Sequence, residues 1–550
     1  MLNKDKKAGG SKVLERFPPT ANENEIIADQ VNPAIRLYGR RFYKDQTPIE
    51  YLTEFLLVFT SPKEYPMDEK ELGSYKFFYN PEAKGGYGYW PDDRVALKLF
   101  SFFSGSKLET RHVAHKHAYL EALEQLKANM TGSSEEDKEE AVRLIQSLFY
   151  GFVGVAKNRT WVTYSFLPVT TGLLSRELNW LHSEAKKEDG LNTWNDIVEA
   201  NGVPTPYRFF AHDRHNFMAR GGELLYLQLV NLFSLPDDSD IQYLLDDSFY
   251  THIPKDISLL GTQLEERLRT MLENSSQELG QLIEWAEGSL SDFKLNKTPK
   301  ISNLGWVPSI SRTEALLFAV EMNHICASNR GVLEKLDLLR ILCSMQVLRS
   351  LCFQARRVVD SELNTIGFCG NYAWIVAESN AEVDEPIRKM AQNSFLKIDD
   401  MLYRAMRSPV LHPGEFNPEG TEESKFLKNA DENVYKHFRK FAKEMGLVIP
   451  KKGKGPRFTL HQELLKFLVA ALVAPGERIR LTDFYKRAFA HYGIALGGEQ
   501  LATALNWCEQ EESHGSYAIS SNTEWVEEAL QQGGFLVELS DAVSMIKNPG

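Results

Sequence analysis

LLKFLVAALVAPGERIRLTDFYKRAFAHYGIALGGEQLATALNWC, residues 464–508, carries three apolar patterns at helical spacing. Leu464, Phe467, Leu468 and Ala471 stand at i, i+3, i+4 and i+7. Leu481, Phe484, Tyr485 and Ala488 repeat the spacing, and so do Leu501, Ala504, Leu505 and Cys508. Each set places one apolar stripe on a helix. Pro475-Gly476 separates the first helix from the second, and Gly493 with Gly497-Gly498 separates the second from the third. Further on, residues 523–531 read as a fourth short helix. Residues 535–539 and 542–546 read as two strands joined at Ser540-Asp541. Three short helices and a hairpin are the parts of a winged helix-turn-helix. Its third helix, 498–509, is the expected occupant of a major groove. Gln500, Thr503 and Asn506 are the side chains suited to base contact there, while Glu499 and Glu509 repel phosphate, so base readout is expected to be weak.

Charge extends this reading. Residues 435–490 hold thirteen Lys and Arg against four acidic residues, a net of +9, in a chain whose net charge is −12. Residues 491–550 carry −8, which leaves −13 on residues 1–434. A basic stripe confined to one part of an acidic chain is the electrostatic footprint of a polyanion partner. Lys451, Lys452, Lys454 and Arg457 in the Gly/Pro-punctuated segment, with Arg478, Arg480, Lys486 and Arg487 beyond it, are the expected nucleic-acid contacts, duplex DNA being the expected partner. The competing account is that this basic unit docks on the acidic body of its own chain.

The 550 residues, with 43% hydrophobic and 25% charged content, suit a soluble globular chain of several domains. Five cysteines, an odd number with no C-x-x-C pair, argue against a disulfide framework or a structural zinc site. Neither a secretory leader pattern nor a run of ~18 apolar residues is present, so no membrane span and a cytoplasmic location are expected. The expected organisation is mainly α. A flexible lead-in occupies 1–32, an N-terminal helical domain with some extended segments 33–235, and a second helical domain 236–430. A basic connector covers 431–456 and a winged-helix-like domain 457–550. Within the body, residues 332–359 are hydrophobic almost all round, the pattern of a central buried helix whose arginines pair with acidic neighbours.

The candidates for chemistry are few, and neither a metal site nor a cofactor is expected. The loop Lys84-Gly85-Gly86-Tyr87-Gly88-Tyr89-Trp90 lacks the G-K-[ST] ending of a phosphate loop and reads as a turn that packs its rings. Arg111, His112, His115 and His117 share one helix, but H-x-x-H-x-H is not a zinc-ligand spacing. Residues 207–229 gather His212, Asp213 and His215 ahead of Gly221-Gly222-Glu223. Asp213 and Glu223 could serve as acids in a polar pocket with either histidine as base. Glu223 also suits the first turn of the following helix on electrostatic grounds alone.

Two resemblances add to this. Arg111-His112 followed by His117 resembles the R-polar-x4-H motif of the HEPN ribonucleases, in which the Arg and the last His line a cleft between two helices and act on an RNA 2′-hydroxyl. Arg111 and His117 would carry those roles here. Separately, Arg220-Gly221-Gly222-Glu223-Leu224-Leu225-Tyr226 and Gly534-Phe535-Leu536-Val537-Glu538-Leu539-Ser540-Asp541-Ala542, with Asn548-Pro549, look like segments of large helical accessory proteins from bacterial phage-defence systems. Those systems are linked to DNA phosphorothioation or methylation. That resemblance implies an accessory or DNA-engaging subunit, its partners supplying methylase, ATPase or nuclease activity. A helical ribonuclease, or a scaffold whose winged domain binds protein, are the alternatives.

Overall fold

The computed structural model describes residues 13–19, 32–39, 42–63, 73–81, 87–92, 94–102, 113–132, 134–157, 159, 161–176, 179–180, 210–211, 221–234, 238–273, 277–290, 302–359, 367–382, 385–412, 420–508, 523–540 and 543–550. The fold is mainly helical. α1 (Pro48–Thr60) starts at a capping box, in which the Glu50 carboxylate accepts the Thr47 N–H at 2.7 Å and Pro48 takes the first helical position. α2 spans Val113–Ala128 and α3 spans Gly221–Ser234. α1 and α3 pack closely because two glycines open α3. A Cβ on Gly222 would stand 2.5 Å from Glu54 Cβ and from the Tyr51 carbonyl oxygen, and one on Gly221 would fall inside the Tyr51 ring. The Gly222 N–H donates to Glu54 at 2.9 Å. Gly221-Gly222 thus serves a close approach of two helices.

α4 (Arg312–Ala327) leads to α5 (Val332–Val359), whose 28 residues extend ~42 Å. α5 is buried over most of its length from Leu336 to Arg356 and touches α1, α3 and α4, as well as α6 (Pro386–Ala405). It is the central buried helix that its all-round hydrophobicity predicts. The C-terminal part continues with α7 (Tyr435–Glu444), α8 (Gln462–Leu472), α9 (Leu481–Tyr492), α10 (Gly498–Cys508) and α11 (Glu524–Gln532).

Short strands tie these pieces together. β1 (Arg16–Phe17) pairs antiparallel with β2 (Val307–Pro308). β3 (Trp374–Ile375) is joined by the later Ile494–Ala495, which becomes β7 in chain order, in a parallel bridge. β4 (Val448–Ile449) and β5 (Arg457–Phe458) form a hairpin. β6 (Arg478–Arg480), β8 (Leu536–Ser540) and β9 (Val543–Lys547) make an antiparallel sheet in the order β6-β9-β8.

Among the described residues, the main hydrophobic core is one contiguous cluster that runs from Val13 to Ile546. Inside the expected lead-in, Phe17 is buried on β1. The expected connector folds as α7 and the β4–β5 hairpin, with Phe438 and Phe441 buried. α8 packs on α4 and α5, and the His324 Nδ1–H donates to the Ala471 carbonyl at 2.8 Å. Near the C-terminal end, Asn548 donates to Val473 O at 2.8 Å and accepts from Arg330 at 3.1 Å. All five cysteines are free. No helix among the described residues is long and apolar enough to cross a membrane.

The α1–α3 contact gives a direct test. Gly222→Ala is expected to cost about 2 kcal/mol by overpacking against Glu54. Gly288→Ala, at a helical position with open space around it, should be neutral or stabilise by about 0.5 kcal/mol. Denaturation midpoints of the two variants measure the difference.

Candidate nucleic-acid interface

The basic run divides into cations that the fold neutralises and cations that it leaves exposed. Arg439 pairs with Asp399 at 2.6 Å, Lys466 with Glu334 at 2.7 Å and Lys486 with Asp483 at 3.7 Å. Lys440 stands 3.7 Å from Glu444 and donates to the Lys44 carbonyl. Arg487 grips Glu477 through both terminal nitrogens, at 2.9 and 2.7 Å, and donates to Leu472 O at 2.8 Å. Arg457, expected on an exposed segment, is buried as the first residue of β5 and donates to Ser379 O at 2.9 Å. Burial, with Arg388 nearby, lowers its pKa.

Lys451, Lys452 and Lys454 are exposed on the turn between β4 and β5, as are Arg478 and Arg480 on β6. Among the described residues, none of these five forms an ion pair. The turn needs its glycines: Gly453 has φ +113° and Gly455 φ +73°, values that side-chain-bearing residues rarely adopt. On β6 the alternation of the strand puts Ile479 inward and both arginines outward. Arg478 lies opposite Lys547 on β9, so one sheet face carries three cations. Lys547 escaped the sequence reading because it stands alone in an acidic stretch; only the register brings it to Arg478.

Neither short helix suits base reading. α10 buries Leu501, Ala504 and Trp507 and packs on α6 and β3, with the Lys397 ammonium 4.6 Å from the Trp507 ring centroid. Gln500 is buried and the Thr503 hydroxyl donates to Glu499 O at 2.9 Å, which leaves Asn506 exposed. The helix directly before the β8–β9 hairpin is α11, packed on α8 through buried Val526 and Leu530. Its exposed positions include Glu524, Glu528, Gln531 and Gln532.

A buried polar cluster fastens this part to the body. Arg349 donates bidentately to Glu321, at 2.7 and 2.9 Å, and to the His491 carbonyl at 3.1 Å. The His491 Nδ1 lies 2.7 Å from Glu321; a carboxylate only accepts here, so Nδ1 carries the proton. His491 Nε2 then accepts from His252 Nε2–H at 2.7 Å. Burial alone would raise the Glu321 carboxyl, but Arg349 and His491 outweigh it and hold it below its ordinary value. Burial, with His491 and Arg487 adding to it, pushes His252 down to about 2. His437 falls to about 3 through burial and Lys440, and His324 to about 4 through burial.

The remaining candidates are placed as follows. Glu223 is buried at the head of α3 and accepts the Tyr89 hydroxyl at 2.9 Å. In the Gly/aromatic turn, Tyr89 is buried, the Tyr87 hydroxyl donates to Phe78 O, and the Tyr87 ring meets Tyr79 edge-on at 5.4 Å, so these rings pack on the core. Arg111, His112, His212, Asp213 and His215 lie outside the described residues, and so does the side chain of His117 on α2. No group of three His, Cys, Asp or Glu able to hold a metal occurs among the described residues. Comparison with protein-family models, curated proteins and solved structures finds no match.

The lowered histidines set a pH dependence. In the unfolded chain each titrates near 6.5, whereas in the fold each stays neutral to about 4 or below. The unfolded state therefore binds more protons below about pH 6.5, and stability falls as pH falls through that window. Three such groups give a slope of up to about 4 kcal/mol per pH unit between about pH 6 and 4.5. Denaturation midpoints measured across this range should fall steeply, and His252→Asn should make the slope shallower.

Proposed function

We propose that the protein is a DNA-binding accessory subunit that grips the phosphate backbone with little base readout. The observation that carries this reading is the set of exposed cations, Lys451, Lys452 and Lys454 on one turn and Arg478 and Arg480 on one sheet face, where the half-buried Lys547 joins Arg478. They remain after the fold has neutralised much of the basic run. In this reading α8, β6, α9, α11, β8 and β9 form a winged helix-turn-helix. Their chain order and the β6-β9-β8 sheet support it, with α10 as an insertion held on the body. Glutamates on α11 oppose its entry into a groove, so contact falls to the hairpins. The assembly context, a cytoplasmic bacterial anti-phage complex with a methylase, ATPase or nuclease as partner, rests on the resemblance of residues 220–226 and 534–542. A second reading, a scaffold that binds protein through the winged unit, is favoured by the acidic outer face of α11.

Each Lys or Arg that meets a phosphate steepens the salt dependence by roughly one unit of log-log slope. Changing Lys451, Lys452 and Lys454 together to Gln is expected to weaken duplex binding equally for unrelated sequences. It should flatten the slope by about two to three units and leave the melting temperature unchanged. Mobility shifts across a salt series measure this; an unaltered affinity and slope would transfer support to the scaffold reading.

A further inference from the structure

Directly beside the lysine turn lies a cleft of about 460 Å³, formed where α5, the end of α7, the β4–β5 hairpin and the start of α8 meet. We infer that this cleft takes a single unstacked nucleotide, its phosphate on Lys451 and its base against the inner wall. The inference rests on the backbone-binding reading above and names a site within it.

The volume falls in the range of small-molecule sites. Ile341, Met445, Ile449 and Leu464 give the cleft an apolar wall on which a planar base can lie. Its charges are largely balanced in place. Arg340 stands 3.3 Å from Asp337 and 3.5 Å from Glu463, and Lys440 stands 3.7 Å from Glu444. Lys451 is the lining cation left over, and its single positive charge matches the single negative charge of a phosphodiester. Glu463 faces both Arg340 and the cleft-lining His461 Nε2 at 3.5 Å, yet its side chain remains 57% exposed, so its carboxylate can also accept an exocyclic amino group from a base. Lys452 and Lys454 follow on the same turn, where flanking phosphates would pass. A base stacked and paired in a duplex cannot enter such a cleft, so the site favours a single strand or a frayed end.

The test uses the full-length protein with deoxyadenosine monophosphate as probe, followed by calorimetric titration. Binding is expected, with deoxyadenosine and inorganic phosphate each at least tenfold weaker. Ser379 is exposed and lines the cleft; its carbonyl contact to Arg457 survives substitution, and only its hydroxyl contact to Thr459, at 3.2 Å, is lost. Ser379→Trp should therefore weaken the nucleotide at least tenfold and abolish any preference for single-stranded over duplex DNA. Duplex affinity and its salt slope should not change. The milder Glu463→Gln should weaken deoxyadenosine monophosphate severalfold while sparing deoxyinosine monophosphate, which lacks the amino group. If duplex DNA binds with its salt slope but the nucleotide does not, or binds equally to Ser379→Trp, the cleft inference falls and backbone binding stands. If neither duplex nor nucleotide binds, both fall.

Discussion

The Arg349 guanidinium and the Glu321 carboxylate meet with no solvent exposure on either side chain. Two charges in a low-dielectric interior lose several kcal/mol each in hydration, and that loss is offset only when nearly every donor and acceptor finds a partner. Here they do. Besides its two bonds to Glu321, Arg349 donates through Nε to Gln346 at 2.8 Å and through Nη1 to His491 O. Gln346 in turn donates to Gln228 on α3. One pair of charges therefore fixes the relative positions of α3, α4, α5 and the end of α9. Loss of either partner alone would strand a buried charge, at a cost of about 3–5 kcal/mol. The same logic recurs nearby, where Arg357 grips Glu314 through both terminal nitrogens at 2.8 Å.

This lock changes what the basic C-terminal stretch can do. A unit on a loose tether could present all its cations to a partner. A unit fixed to the body through His491, Ala471 and Asn548 instead spends many of them on neighbouring acids, as Arg439 does on Asp399 and Lys466 on Glu334. Docking on the body and binding a polyanion are therefore compatible. Arg439, Lys466 and Arg487 are paired with acids, while Lys451, Lys452, Lys454, Arg478 and Arg480 on the turn and the outer sheet face are left exposed.

Much of the helical framework was legible because it follows from period alone. The apolar stripes of 464–471, 481–488 and 501–508 each became a helix, and the all-round hydrophobicity of 332–359 became the central one. The hairpin near the end was also readable, from two short runs around Ser540-Asp541. What could not be read depends on contacts between residues far apart in the chain. Arg457 looked exposed among Lys, Gly and Pro, yet it opens a strand and turns in to Ser379. Glu223 has its partner Tyr89 134 residues away, and His252 meets His491 across 239 residues. Neither pairing leaves a local pattern. The strand register that sets Lys547 beside Arg478 is likewise a property of the sheet.

If duplex DNA binds as proposed, the charge around the C-terminal sheet constrains how it could sit. The helix before the hairpin, α11, offers glutamates, and the earlier helix, α10, is committed to α6 through Trp507 and Lys397. A helix-in-groove pose would bring α11 carboxylates toward phosphates, at a repulsion that weak base contacts could not offset. The sheet face with Arg478, Lys547 and Arg480 has no such conflict: its inward residues Ile479 and Ile546 are buried in the core, and Arg478 and Arg480 are exposed. Under the proposed DNA-binding reading, this distribution of charge leaves backbone contact to strands and turns, and the helices of the unit hold those strands on the body.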